Sequence, residues 1–183
     1  MTTFVVHVEN KPGVLTRVAS LFRRRAYNIE SLTVGHTETP GVSRMTIVVD
    51  TDDEGAHHVQ AHLYKLVNVL RVDNVSVRPA VTRELAMVKV ATTAQTRPEL
   101  FQLADVFRAR VIDVSHDSLV LEITGGEAKL DKLLEVLEPY GVLEMARTGT
   151  LAMARGAAAA ADGPEAAGSG AADAEPQDLA YSV

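Results

Sequence analysis

The sequence contains no cysteine and no tryptophan among its 183 residues. The lack of cysteine excludes disulfide bonds, thiolate nucleophiles and metal sites with cysteine ligands. A chain without disulfides suits the reducing environment inside a cell, and we therefore expect a cytoplasmic location.

Aromatic residues are also scarce, and positive charge is not in excess. Aromatic residues make up 4% of the chain and the formal net charge is -6, which is unsuited to base stacking or to the attraction of phosphate backbones. The segment Met1-Thr2-Thr3-Phe4-Val5 lacks the basic region of a signal peptide, and no window reaches about 18 consecutive apolar residues. These absences predict no nucleic-acid partner, no secretion and no membrane span.

The residues that are present divide the chain into two similar halves and a tail. Residues 1–79 and 80–155 are rich in Val, Leu and Ile, whereas residues 156–183 are mostly Ala, Gly, Asp, Glu and Pro. Because that last segment has almost nothing to bury, we predict that it is a disordered tail. The length fits two small domains, joined near residues 78–83.

The first half reads as a βαββαβ unit. Apolar residues alternate along strands, recur at helical spacing along helices, and are separated by the turns Pro12-Gly13 and Pro40-Gly41. The apolar stripe of the first helix is Val14, Val18, Leu21 and Phe22, and Arg23 to Arg25 close that helix. We expect the helix to cover residues 13–25.

The second half repeats this order of elements. A strand over 85–91 precedes a helix that starts near Pro98, a hairpin turns at His116-Asp117, a helix follows Gly125-Gly126, and a strand covers 142–151. The predicted fold class is therefore α+β, with two ferredoxin-like βαββαβ domains built on antiparallel sheets. Two helices cover one sheet face only, so the other face, with Val5 and His7, favours pairing with a second copy.

The loop before the first helix is suited to binding the carboxylate of a small zwitterion. The opening N–H groups of a helix have no partner within the helix, and the helix dipole favours negative charge there. Gly13 leaves room for close approach, Asn10 offers a donor and an acceptor, and Leu15 supplies an apolar wall. The simpler alternative is that Asn10 caps the helix and that Gly13 serves only the bend.

Asn28 lies at the far end of the same helix. A helix over residues 13–25 is about 19 Å long at roughly 1.5 Å per residue, which exceeds the size of a small amino acid several times. Asn10 and Asn28 of one chain therefore cannot both contact one ligand. If both residues contact it, Asn28 must come from a second subunit.

Several blocks of sequence resemble a known family. The loop resembles the ligand loop of ACT domains, and the segments after the first helix resemble the small regulatory subunits of acetolactate synthase. The blocks that carry the resemblance are Glu9-Asn10-Lys11-Pro12-Gly13-Val14-Leu15, Tyr27-Asn28-Ile29-Glu30-Ser31-Leu32-Thr33-Val34, Ser43-Arg44-Met45-Thr46-Ile47 and Arg147-Thr148-Gly149. The resemblance covers nearly everything up to about Gly156 and implies that the first domain is an ACT domain.

The resemblance implies a subunit that is not catalytic by itself. It implies that the chain activates a large catalytic subunit and confers feedback inhibition by valine, with leucine or isoleucine as related effectors. It places the effector at a homodimer interface between ACT domains, with Asn10, Gly13, Val14 and Leu15 in the ligand loop and Asn28 and Ile29 on the partner's strand. No cofactor is expected in this chain, whereas thiamine diphosphate, Mg and FAD are expected in the catalytic subunit.

The sequence departs from the family pattern at two places, and two other functions remain as alternatives to a regulatory subunit of acetolactate synthase. Ala26 stands where relatives often have glycine, at a helix end that favours positive φ, and the tail extends beyond the usual end of the family. A stand-alone ACT-type sensor that acts on another partner is the main alternative, and an acylphosphatase-type enzyme is a further one that lacks a phosphate loop here. His57, His58 and His62 are attributed to a solvated helix face rather than to a metal site.

Overall fold

The computed structural model describes residues 1–156, which form two βαββαβ units followed by a final short strand. The predicted tail lies outside the described residues, apart from Gly156. The bounds are β1 Thr2–Glu9, α1 Val14–Arg24, β2 Ile29–His36, β3 Val42–Val49, α2 Asp53–Leu63, β4 Val69–Asn74, β5 Ala80–Ala91, α3 Arg97–Phe107, β6 Arg110–Val114, β7 Ser118–Gly125, α4 Glu127–Leu137, β8 Val142–Arg147 and β9 Leu151–Ala154.

The first unit is a four-stranded antiparallel sheet with the strand order β2-β3-β1-β4. Strand alternation sends one set of side chains toward α1 and α2, and these residues form a continuous buried core. Phe4, Ile47 and Val59 have no exposed surface in that core. Strand β2 lies at one edge of the sheet, with β3 as its only neighbour among the described strands.

Helix α1 follows from its apolar spacing. The four residues of the predicted stripe are its buried residues, and each is 6% exposed or less. The helix begins after Gly13, which has a φ of +82°, and it is followed by Ala26, whose φ of +57° is unusual for a residue with a Cβ. The helix over residues 13–25 is thus confirmed to within one residue at each end.

The second unit has the strand order β6-β7-β5-β8 with its own buried core under α3 and α4. This confirms the predicted fold class. The last predicted strand is wrong in one respect, because residues 142–151 are not continuous: β8 ends at Arg147 and a separate strand, β9, begins at Leu151. Among residues 1–156, no helix is both long and apolar enough to cross a membrane.

Strand β5 links the two units. Its residues from Glu84 onward pair with β7 and β8, while residues 80–83 pair with β9. Strand β9 in turn packs on the open face of the first sheet, where Val5, Val75 and Ala152 form a small buried cluster. We expected a second copy of the chain to cover Val5, but residues of the same chain leave it only 2% exposed.

Candidate functional site

The candidate ligand loop joins the end of β1 to the start of α1. The backbone N–H of Asn10 donates to the carbonyl of Gly41 at 2.8 Å, and the N–H of Lys11 donates to the carbonyl of Glu9 at 2.9 Å. Gly13 has no neighbouring atom within 4 Å of the place where a Cβ would lie. The loop is therefore fixed at its first residues and open at Gly13.

The first backbone N–H groups of α1 lack partners within the described part of the chain. The N–H of Val14 reaches the carbonyl of Lys11 only at 3.4 Å, and those of Gly13, Leu15 and Thr16 have no acceptor there. No side chain caps this helix, so the alternative that Asn10 acts as its cap is wrong. Several donors at the positive end of a helix are left available for an anion.

The other three described helices differ from α1 at their starts. Helix α2 is capped by Asp52, whose carboxylate accepts a hydrogen bond from the N–H of Gly55 at 2.8 Å. Helices α3 and α4 carry Glu99 and Glu127 in their first turns, whereas the first turn of α1 has no acidic residue. Only at α1 is the positive end of the dipole left without a nearby carboxylate of its own helix.

The side chains of the loop divide into exposed and buried ones. Asn10 is exposed, and Leu15 is 44% exposed beside the free N–H groups. Val14 is only 4% exposed and belongs to the core, so it offers a ligand its backbone but not its side chain. Leu15, together with exposed Pro12, is therefore an apolar side chain of the loop that a ligand can contact.

Asn28 and Ile29 lie at the opposite end of α1. Eleven helical residues span about 16 Å, so the structure does not bring Asn28 near Asn10 of the same chain. The side-chain amide of Asn28 donates to the carboxylate of Glu30, and Ile29 is the half-buried first residue of edge strand β2. Both residues are placed where a second molecule that approaches the β2 edge would meet them.

Other titratable residues do not assemble into a metal centre in the described part of the chain. No group of three or more His, Cys, Asp or Glu residues there is arranged to hold a metal ion. His58 and His62 lie one helical turn apart, and their ring centroids are separated by 6.4 Å. Nε2 of His58 lies 3.8 Å from Oε1 of Glu54. The pKa of His62 is lowered by desolvation and by nearby Arg25 and Lys65.

The segment Arg147-Thr148-Gly149 forms the junction between the two units, a role that its sequence did not reveal. Arg147 contacts Glu84 and Asp131, each with an N–O separation of 2.6 Å. Gly149 packs so closely on β2 that an added Cβ would lie 2.6 Å from Thr33 Oγ1 and 2.7 Å from Ser31 Oγ. The only available signal was its similarity to the family, because its contacts come from distant parts of the chain.

The fold is that of an ACT-type domain followed by a second ferredoxin-like unit. Residues 4–71 match the family described as AHAS small subunit-like ACT domain, and residues 83–156 match the family described as small subunit of acetolactate synthase. The chain belongs to the family of acetolactate synthase small subunits.

Individual members of this family are similar to the chain over most of the length of both sequences. The acetolactate synthase small subunit of Bacillus subtilis is 49% identical over 150 residues, which is 81% of this chain and 87% of that protein. That of Mycolicibacterium smegmatis is 48% identical over 154 residues, covering 84% and 91%. The crystal structure of the small subunit from Thermotoga maritima matches with a TM-score of 0.81 and 42% identity, over 85% of this chain and 98% of that one.

Proposed function

We propose that this chain activates a thiamine-diphosphate-dependent catalytic subunit and makes that subunit sensitive to feedback by valine or a related branched-chain amino acid. The effector would bind between the ACT domains of two copies, with Asn10, Gly13, Val14 and Leu15 from one chain and Asn28 and Ile29 from the other. Thiamine diphosphate, Mg and FAD would reside in the catalytic subunit, and the proposed location remains the cytoplasm.

The observation that carries this proposal is the uncapped start of α1. An amino acid presents a carboxylate, which suits free N–H groups at the positive end of a helix, and an apolar side chain, which suits exposed Leu15. Val14 takes part through its backbone. These features support a small apolar amino acid as the effector but do not select among valine, leucine and isoleucine.

The separation of Asn10 from Asn28 supports a site shared by two chains. Strand β2 is an edge strand, and its free side has hydrogen-bonding groups suited to pairing with the same strand of a second copy. Such a site would tie effector binding to the geometry of the dimer. Feedback then requires only that the effector favour one of two assemblies, by about 1–3 kcal/mol.

The first experiment is a calorimetric titration of the purified full chain with valine, leucine and isoleucine, followed by assay with its catalytic subunit. We expect Gly13→Asp to abolish effector binding and inhibition while activation is retained. An Asp at this position would bring its own carboxylate to the free N–H groups and would repel that of the ligand. Gly156→Asp is the matched control, since Gly156 also has a positive φ, of +79°, and its Cβ also meets open space; this variant should leave inhibition intact.

A mixed dimer tests whether the site is shared. Each dimer of Gly13→Asp chains or of Asn28→Ala chains should have two impaired sites. A dimer with one chain of each kind, purified through two different tags, should have one intact site, formed by the unmodified loop and the unmodified Asn28. Binding of one valine per mixed dimer supports the shared site, and complete loss of binding would show that loop and Asn28 act within one chain.

A further inference from the structure

We propose that Asn68 is the positioning residue that holds the effector loop in its binding geometry. This inference rests on the proposed function, because it assigns a role at the same site. Asn68 lies just before β4, far in sequence from the loop, and is a buried polar residue with 9% exposure. A buried amide of this kind needs hydrogen-bond partners, and its partners lie on both sides of the loop.

The side chain of Asn68 makes one bond to each flank of the loop. Its Oδ1 accepts a hydrogen bond from Nη1 of Arg17 at 2.5 Å, and its Nδ2 donates to Oε2 of Glu9 at 2.5 Å. Its backbone carbonyl also accepts the N–H of Glu9 at 2.9 Å. A single residue therefore connects the end of β1 to the first turns of α1.

These two flanks determine where the free N–H groups point. Glu9 is the last residue of β1, and the N–H of Arg17 donates to the carbonyl of Gly13 at 3.0 Å. The backbone hydrogen bonds of residues 10–13 reach only Glu9, Gly41, Val14 and Arg17, so the link between the end of β1 and the side chains of α1 comes from Asn68. If the link through Asn68 is lost, the start of α1 can shift relative to β1 and the carboxylate site loses its geometry.

Asn68 also organises the charge beside the loop. Glu9 Oε2 receives the Asn68 hydrogen bond and lies 3.1 Å from Nζ of Lys11. Hydrogen bonds from Asn68 and Lys11 lower the pKa of Glu9, so its carboxylate is charged at neutral pH. The ammonium group of Lys11 is thus held at Glu9 on the β1 side, and the N–H groups of α1 remain open to a ligand.

An amide is suited to this position because its neighbours need opposite partners. Arg17 requires an acceptor and Glu9 requires a donor, and an asparagine side chain supplies both. In Asn68→Asp the acceptor for Arg17 remains, but two carboxylates face each other. In Asn68→Leu the volume is roughly kept and both bonds are lost.

The test compares effector affinity with stability in the full chain. We expect Asn68→Leu and Asn68→Asp to raise the valine Kd by about tenfold or more, because valine binding would then have to order the loop that the Asn68 hydrogen bonds hold in wild type. Asn74→Leu, at the other end of β4, is the matched control; Asn74 accepts a bond from the N–H of Ser76 and contacts no part of the loop in the bonds described. It should leave the Kd within about twofold of wild type.

A second pair of changes separates positioning from general destabilisation. In Glu9→Gln combined with Asn68→Asp, the donor and acceptor are exchanged, since the Gln amide can donate to the Asp carboxylate. We expect this double variant to recover most of the affinity lost in Asn68→Asp. Recovery supports the inference even if Asn68→Leu fails to fold.

The outcomes distinguish the two levels of the proposal. If folded Asn68→Asp binds valine as tightly as wild type, or if the double variant loses as much affinity as Asn68→Asp, Asn68 is not a positioning residue and the effector site stands. If wild type binds none of valine, leucine and isoleucine, the proposed function itself is wrong. Titration of wild type therefore precedes the variants.

Discussion

Replacing Ala26 by glycine should stabilise the chain, because Ala26 has a left-handed backbone conformation. Its φ is +57°, directly after α1, and the residue is exposed, so its methyl group contributes little packing. The left-handed region costs a residue with a Cβ roughly 1–2 kcal/mol, and the greater freedom of glycine in the unfolded chain offsets about 0.5–1 kcal/mol of the gain. The net expectation for Ala26→Gly is about 1 kcal/mol of added stability.

Urea unfolding at a fixed protein concentration measures this difference, and a thermal melt should show an increase of about 2–4 °C. The matched control is Ala19→Gly, the same substitution at an exposed position inside α1, which should lose about 1 kcal/mol. If Ala26→Gly raises and Ala19→Gly lowers the free energy of unfolding, the backbone conformation at each position is the cause of the difference, because the chemical change is the same. Equal destabilisation by both substitutions would refute the reasoning and would show that residue 26 is not held in the left-handed region.

Two further predictions concern the junction and the open sheet face. Gly149→Val should destabilise the chain by more than about 1 kcal/mol, since a Cβ there would lie 2.9 Å or less from atoms of three β2 residues. Urea unfolding measures this loss. Gly126→Ala is the control, because its Cβ has no atom within 4 Å, and its free energy of unfolding should stay near that of wild type. Burial and the charge of Arg44 lower the pKa of His7 from 6.5, so the unfolded chain takes up this proton first as pH falls. The stability associated with neutral His7 is therefore present above pH 6.5 and decreases as the pH falls below that value. His7→Gln should remove this part of the pH dependence of unfolding, and an unchanged pH profile in that variant would contradict the assignment.

Local patterns predicted most of the fold. The apolar stripe of α1 was sufficient because helix formation depends on residues three and four apart, and the structure keeps that helix to within one residue at each end. The break between β8 and β9 was missed because apolar residues continue to alternate on both sides of it, as at Leu143 and Met153. Between the two strands, Gly149 packs against β2, a contact with residues more than a hundred positions away in the sequence.

At the candidate site, too, features that depend on neighbouring residues were predicted from the sequence, whereas features that depend on distant residues were not. Gly13 and the free start of α1 were visible in a short motif, since helix starts obey local rules. Asn68 was not visible, because it lies in an ordinary run before a strand and its meaning depends on Glu9 and Arg17. The contact of Ala152 with Val5 could not be predicted from the sequence either, since the periodicity of apolar residues does not specify which distant segment packs on an open sheet face.

The position of β9 has a consequence for exchanging modules between related proteins. The apolar patch of the first unit is completed by Ala152, and the guanidinium of Arg44 donates to the carbonyl of that same residue. Pro79 lies at the boundary between the two units in the sequence. A chimaera joined there would nevertheless cover the first sheet with a β9 strand from the other protein. Grafting residues 151–154 together with the first unit would preserve the native contact, so the unit that can be transplanted is discontinuous in sequence.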